Sequence, residues 1–102
     1  MLIDNFRDWI LTLNIPDNCE LEIKKENFDT NIDSTLKNII VIDIVNSRYI
    51  GKFVAWDDNS CFIEILEIDS GKSILHERFD FNNLNELKSK CEMFLTYFEI
   101  II

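Results

Sequence analysis

Glycine and proline are nearly missing from this 102-residue chain, which carries two of the first and one of the second. That excludes collagen-like, linker-rich and low-complexity architectures. Cysteine is scarce and odd in number, at positions 19, 61 and 91, with no C-x-x-C pair. Such usage points to a reducing, cytoplasmic setting, with Cys61 and Cys91 acting as small hydrophobes inside apolar patterns. The first residues, Met1-Leu2-Ile3-Asp4-Asn5, open with acid instead of base, unlike a secretory leader. No apolar run approaches the roughly 18–20 residues of a membrane span. Basic charge is short as well: ten Lys and Arg stand against nineteen Asp and Glu, a net charge of −9. A nucleic-acid binder needs cations to neutralise phosphates, and an anionic membrane attracts the same cations, so neither partner fits. A basic protein partner does.

What is present is ordinary globular material, 47% hydrophobic and 28% charged, enough for one core and one domain over residues 1–102. Leu2, Ile3, Phe6, Trp9, Ile10 and Leu13 recur at helical spacing, and Pro16 stops that helix near Asn14. Glu20–Lys24 alternates with period two and predicts a short edge strand, followed by a polar loop over 25–35. Three strong strand signals follow, at Leu36–Val45, Tyr49–Trp56 and Cys61–Ile68, with a weaker one at Ser73–Phe79. Their connections are too short for parallel crossovers, so neighbours are antiparallel. Asn83 with Glu86 offers a helix start, and Leu84, Leu87, Cys91, Phe94, Leu95 and Phe98 give that helix its apolar stripe. The expected fold is α+β: an antiparallel meander of four to five strands, with an N-terminal and a C-terminal helix packed on one face.

Pairing Val45 with Ile50, and Trp56 with Cys61, sorts the strands into faces. The core face then holds Ile40, Ile42, Ile44, Tyr49, Phe53, Ala55, Phe62, Leu66 and Ile68, with Glu64 as its charge. The other holds Ile39, Val41, Asp43, Ile50, Lys52, Val54, Trp56, Ile63, Ile65 and Glu67. Asp43 falls opposite Lys52, a favourable cross-strand pair. The second face is too apolar to face water unaided. It binds another protein, forms a homodimer, or is covered by the 25–35 loop.

Catalytic signals are sparse. The single His76 has no neighbouring Ser or Cys nucleophile in sequence, leaving Cys61 as its conceivable partner. No G-x-x-x-x-G-K, G-x-G-x-x-G or H-E-x-x-H occurs. Asp29-Thr30-Asn31-Ile32-Asp33-Ser34 imitates the start of a calcium loop, yet Ser34 replaces the turn Gly and Ile40 the closing Glu. A tight turn explains that segment better. The expectation is no enzyme, no metal and no cofactor.

Three runs together resemble the TriTu family: Tyr49-Ile50-Gly51-Lys52-Phe53-Val54-Ala55-Trp56, Glu64-Ile65-Leu66-Glu67-Ile68-Asp69-Ser70-Gly71 and Phe94-Leu95-Thr96-Tyr97-Phe98, with Trp9 fitting too. Members are small bacterial immunity proteins that neutralise ADP-ribosyltransferase toxins acting on elongation factor Tu. The resemblance implies binding the cognate toxin and blocking its NAD or target access, rather than reversing its modification. On the reading that the resemblance implies, acidic charge would steer the chain to a basic catalytic face of the toxin. The expected partner-binding centre is Trp56 with Asp57, Asp58 and Glu67, rimmed by Asp43 and Lys52. The alternative is a secretion chaperone holding an effector segment on the apolar sheet face, and a third class is a hydrolase removing ADP-ribose. Monomer and homodimer both stay open.

Overall fold

The computed structural model describes residues 2–30 and 33–100, with strand residues 25–30 and 33–38 given by their backbone. Elements follow in the order α1 (Leu2–Leu11), β1 (Glu20–Thr30), β2 (Asp33–Val45), β3 (Tyr49–Trp56), β4 (Ser60–Glu67), β5 (Ser73–Asp80) and α2 (Leu84–Thr96). The strands form one sheet in sequence order, every neighbouring pair antiparallel. The α+β meander expected from the spacing of turns is the observed fold.

Each turn has a local chemical cause. Between β2 and β3, the Asn46 side-chain oxygen accepts from the N–H groups of Arg48 and Tyr49, both at 2.8 Å. This sets Val45 opposite Ile50 and Asp43 opposite Lys52, the register read from the sequence. Between β4 and β5, Gly71 takes φ +68, a left-handed conformation that costs glycine nothing. At the start of α2, the Asn83 side chain accepts from the Glu86 N–H at 2.9 Å. The reciprocal arm is shifted by one residue, because the Glu86 carboxylate accepts from Asn82 N–H at 3.3 Å. Helix α1 ends at Leu11, earlier than Pro16 alone requires. Thr12 and Leu13 N–H bond back to Trp9 and Ile10 carbonyls at 3.0 and 3.1 Å, tightening the last turn.

The core lies between one sheet face and both helices. Phe53 stands at its centre, with the Phe6 ring of α1 at 5.7 Å and the Phe94 ring of α2 at 5.6 Å. Ile40, Ile42 and Ile44 of β2 and Ile63 and Ile65 of β4 flank it, all 1% exposed or less. Lys88 of α2 lays its ammonium 5.5 Å from the Trp9 ring centre, linking the two helices at their solvent edge.

Two sequence expectations are corrected. Cys61 pairs with Ala55, not Trp56. The β3–β4 turn holds three residues between strands, Asp57 to Asn59, because Asn59 accepts φ 68 and closes the hairpin one residue sooner. That slip exchanges the two faces of β4: Ile63 and Ile65 enter the core, while Phe62, Glu64 and Leu66 turn outward. The second correction concerns residues 25–35. Instead of a loop folded over the sheet, 25–30 continue β1 and 33–35 begin β2, pairing as far as Thr30 with Asp33. Since β3 reaches only to Ile39, this ribbon runs on past the three-strand region. Asn31 and Ile32 of the calcium-like run lie outside the described residues, and its flanks are strands, not the helices of a calcium hand.

Candidate protein-binding surface

Strand alternation leaves the second sheet face with no helix upon it. At one end stands Trp56, the last residue of β3. The Arg78 guanidinium from β5 lies 5.6 Å from its ring centre and donates to Ser60 Oγ at 3.3 Å. Ser60, only 3% exposed, in turn donates through its hydroxyl to Asp58 Oδ1, which also accepts the Ser60 N–H at 3.1 Å. A polar chain from the β3–β4 turn therefore fixes the indole. Asp57 and Asp58 lead from Trp56 into the β3–β4 turn at this end of the face.

Along the middle of the face, His76 Nδ1 sits 3.0 Å from Glu64 Oε2, and its ring meets the Phe62 ring edge-on at 4.9 Å. Asp43 and Lys52 are also on this face, as register neighbours. The Asp43 carboxylate is nearer to Lys24 of β1, whose Nζ lies 3.8 Å away and reaches Glu22 at 3.9 Å. Glu67 does not join them. It pairs opposite Tyr49 at the far end of β4, on the core side of the sheet, and accepts from Ser70 Oγ at 2.8 Å. About 20 Å of strand, at roughly 3.3 Å per residue, separates it from Trp56.

Sequence reasoning missed Phe62, Leu66, His76, Arg78 and Lys24 as members of this surface. The first two were lost with the β4 register. The signal that would have recovered them is Asn59, a residue tolerant of left-handed backbone in a hairpin turn.

At the opposite corner, where β1, β2 and β3 meet, two adjoining grooves open on the face. One of about 370 Å³ is lined by Glu20, Leu21, Glu22, Asp43, Ile44, Val45 and Ile50. The other, about 300 Å³, shares Glu20 and Val45 and adds Asp17, Asn18 and Asn46. Ile50 is 48% exposed beside them.

The thiols are placed for packing. Cys19, Cys61 and Cys91 are free and buried. Burial pushes Cys61 up to about 11, with the Lys90 charge and a backbone hydrogen bond opposing the shift. Burial raises Cys91 well above the usual thiol range, and Cys61 and Glu92 add to it. Burial raises Cys19 too, helped by Glu99. None is therefore a ready thiolate at neutral pH. His76 and Cys61 stand on opposite faces of the sheet, so they are not a catalytic pair. Among the described residues, no three His, Cys, Asp or Glu side chains gather as a metal site. No described helix is long and apolar enough to cross a membrane.

The family model described as "Immunity protein TriTu" matches residues 4–97, from α1 to just past α2. No curated protein matches the chain.

Proposed function

The chain belongs to the TriTu family of immunity proteins, and from that premise we propose that it binds a cognate ADP-ribosyltransferase toxin and occludes its active or target-binding face. A toxin-neutralising role belongs to the family; the nature of the toxin and the surface used are our reading. The observation that carries it is the sheet face left without a described helix, with half-buried Trp56 at one end, Phe62 towards the middle and exposed Ile50 at the other end, and charged groups around them. Buried aromatic anchors with a polar rim are the usual build of a tight protein interface.

Charge supports the ADP-ribosyltransferase reading. An enzyme handling NAD gathers positive potential about the two phosphates of the dinucleotide. A partner of net charge −9 is drawn to such a face, and steering of this kind raises association rates by about 10–10³. Binding alone suffices for protection, so no nucleophile, metal or cofactor is required of this chain. Its place of action is the cytoplasm, where elongation factor Tu would otherwise be modified.

The test is co-purification with the protein encoded immediately upstream, followed by NAD-consumption and ADP-ribosylation assays on the pair. A stoichiometric complex that silences the folded partner's NAD chemistry is the expected result. An active partner in the presence of excess chain overturns the proposal. A complex with an unfolded partner moves the function to secretion chaperone.

A further inference from the structure

We propose that the groove at the β1–β2–β3 corner of the open sheet face is a socket for one arginine side chain of the toxin. This rests on the toxin-binding reading and adds the chemistry of one contact.

The groove has two kinds of wall. Val45 and Ile50 provide apolar surface on β2 and β3, and Ile50 remains 48% exposed. Glu20 and Glu22 of β1 and Asp43 of β2 set carboxylates around the same space of about 370 Å³. An apolar side chain entering here would desolvate carboxylates without replacing their water, and an acidic one would meet like charge. A long cationic side chain satisfies both walls, laying its alkyl stem on Ile50 and Val45 and its head among the carboxylates. Guanidinium suits better than ammonium because its planar fork donates to two oxygens at once and sheds water more readily.

Lys24 marks where the head belongs. Its Nζ stands 3.9 Å from Glu22 and 3.8 Å from Asp43, too far for a good hydrogen bond to either. Its side chain is 50% exposed, and that of Glu22 67%, so both can turn aside as a partner arrives. Lys24, loosely held, and Lys52, opposite Asp43, stand against three carboxylates, so the corner keeps a net negative charge. An incoming guanidinium displaces Lys24 and makes the short hydrogen bonds that Lys24 does not.

Lys24 also gives the proposal a sign. If the toxin inserts an arginine, Lys24 competes with it, and removing the Lys24 charge tightens the complex. If the toxin merely lays apolar surface across the corner, that change is neutral. The experiment measures affinity between the full-length chain and the catalytic domain of the upstream-encoded toxin, by titration calorimetry at fixed salt. The Glu20→Gln/Glu22→Gln double variant should bind at least about tenfold more weakly. Lys24→Gln should bind several-fold more tightly. Ile50→Ser should weaken binding, and Trp56→Ala serves as a reference at the other end of the face. Each variant is first matched to the parent by circular dichroism and thermal melting, which the exposed positions Glu20, Glu22, Lys24 and Ile50 should leave unchanged; for Trp56→Ala the same measurements confirm that the protein is folded at the assay temperature. Unchanged affinity in the glutamine variant, or equal or weaker affinity in Lys24→Gln, overturns the socket. Should Trp56→Ala alone be impaired, the socket is wrong while the toxin-binding reading stands. Should the unmodified chain fail to bind, both fall together.

Discussion

The Phe98 ring occupies the space into which a side chain on Gly51 would grow. A Cβ at Gly51 would lie 2.6 Å from Phe98 Cζ and 2.8 Å from Phe94 Cε1, well inside contact distance. Gly51 is opposite Ile44 on one side and Ile65 on the other, so the sheet cannot move away from α2 locally without breaking two ladders. The small residue in β3 is therefore what lets the C-terminal helix and its following turn sit close to the sheet.

Gly51→Ala should destabilise the fold by about 1–3 kcal/mol, the usual range for overpacking a core. For a chain of this size that corresponds to a melting temperature lower by roughly 4–8 °C per kcal/mol. Phe98→Leu in the same chain should recover part of the loss, since it trims the ring that collides. A double-mutant cycle by thermal denaturation measures the coupling, and additive losses would mean the collision is not the cause.

Asn83 caps α2 through its bond to the Glu86 N–H. Asn83→Ala should cost about 1 kcal/mol, and Asn83→Ser or Asn83→Asp much less, because both keep an accepting oxygen. Chemical denaturation of the four proteins gives the ranking directly. Equal losses in Ala, Ser and Asp would show that the cap contributes nothing.

Buried thiols set the alkaline limit. The native state holds Cys61 protonated up to about pH 11, against 9.0 for an ordinary thiol, mainly because burial penalises the thiolate. Above pH 9 the unfolded chain loses this proton while the folded chain keeps it. Stability from this group is thus complete below pH 9 and declines as pH climbs towards 11. Cys91, shifted the same way, adds to the decline. Replacing both with Ala weakens packing at every pH, yet should flatten the slope of stability against pH in that window. A slope as steep as the parent's would assign the alkaline limit to other groups.

The fold was more legible in the sequence than the site, and the register of β4 shows why. Residues 61–66 are apolar on both faces of the strand, apart from Glu64, so hydrophobic pattern could not choose between Phe62 and Ile63 for the core. The decision belongs to Asn59, whose left-handed φ shortens the turn. By contrast, Asn46 and the Asp43–Lys52 pair fixed the β2–β3 register from local chemistry alone. The ribbon of residues 25–30 and 33–38 escaped for another reason. Its strands extend beyond the third strand, and its polar sequence lacks the apolar alternation that marks a strand, so it resembled a loop. The partner-binding set inherits these facts: Trp56, Asp57, Asp58, Asp43 and Lys52 stay on or beside the open face, and Glu67 leaves it with its strand's register.

In the proposed interface Trp56 is the anchor, a half-buried indole with the Arg78 guanidinium over its ring. Trp56→Ala should reduce affinity for the toxin by about 2 kcal/mol or more, the threshold of an interface hot spot, chiefly through faster dissociation. Trp56→Phe should lose less. Dissociation rates by surface plasmon resonance separate the cases, and a Trp56→Ala complex as long-lived as the parent's would remove the indole from the interface.

Asp57 and Asp58 follow that indole into the β3–β4 turn. Asp58 is committed to the turn, accepting from both the N–H and the hydroxyl of Ser60, so reversing its charge disturbs the hairpin as well as the field. Asp57 is exposed at the tip, and its charge is the second probe of steering. Asp57→Lys should slow association with a basic toxin face, with a smaller effect on dissociation, because exposed rim charges act mainly during encounter. It should also flatten the dependence of association rate on salt, since the long-range attraction that salt screens has been reduced. The Asp57→Lys/Asp58→Lys pair should carry both effects further. Stopped-flow association at several ionic strengths measures each. Rates and salt slopes equal to the parent's would place the steering field on another acidic surface of the molecule and take this turn out of the encounter.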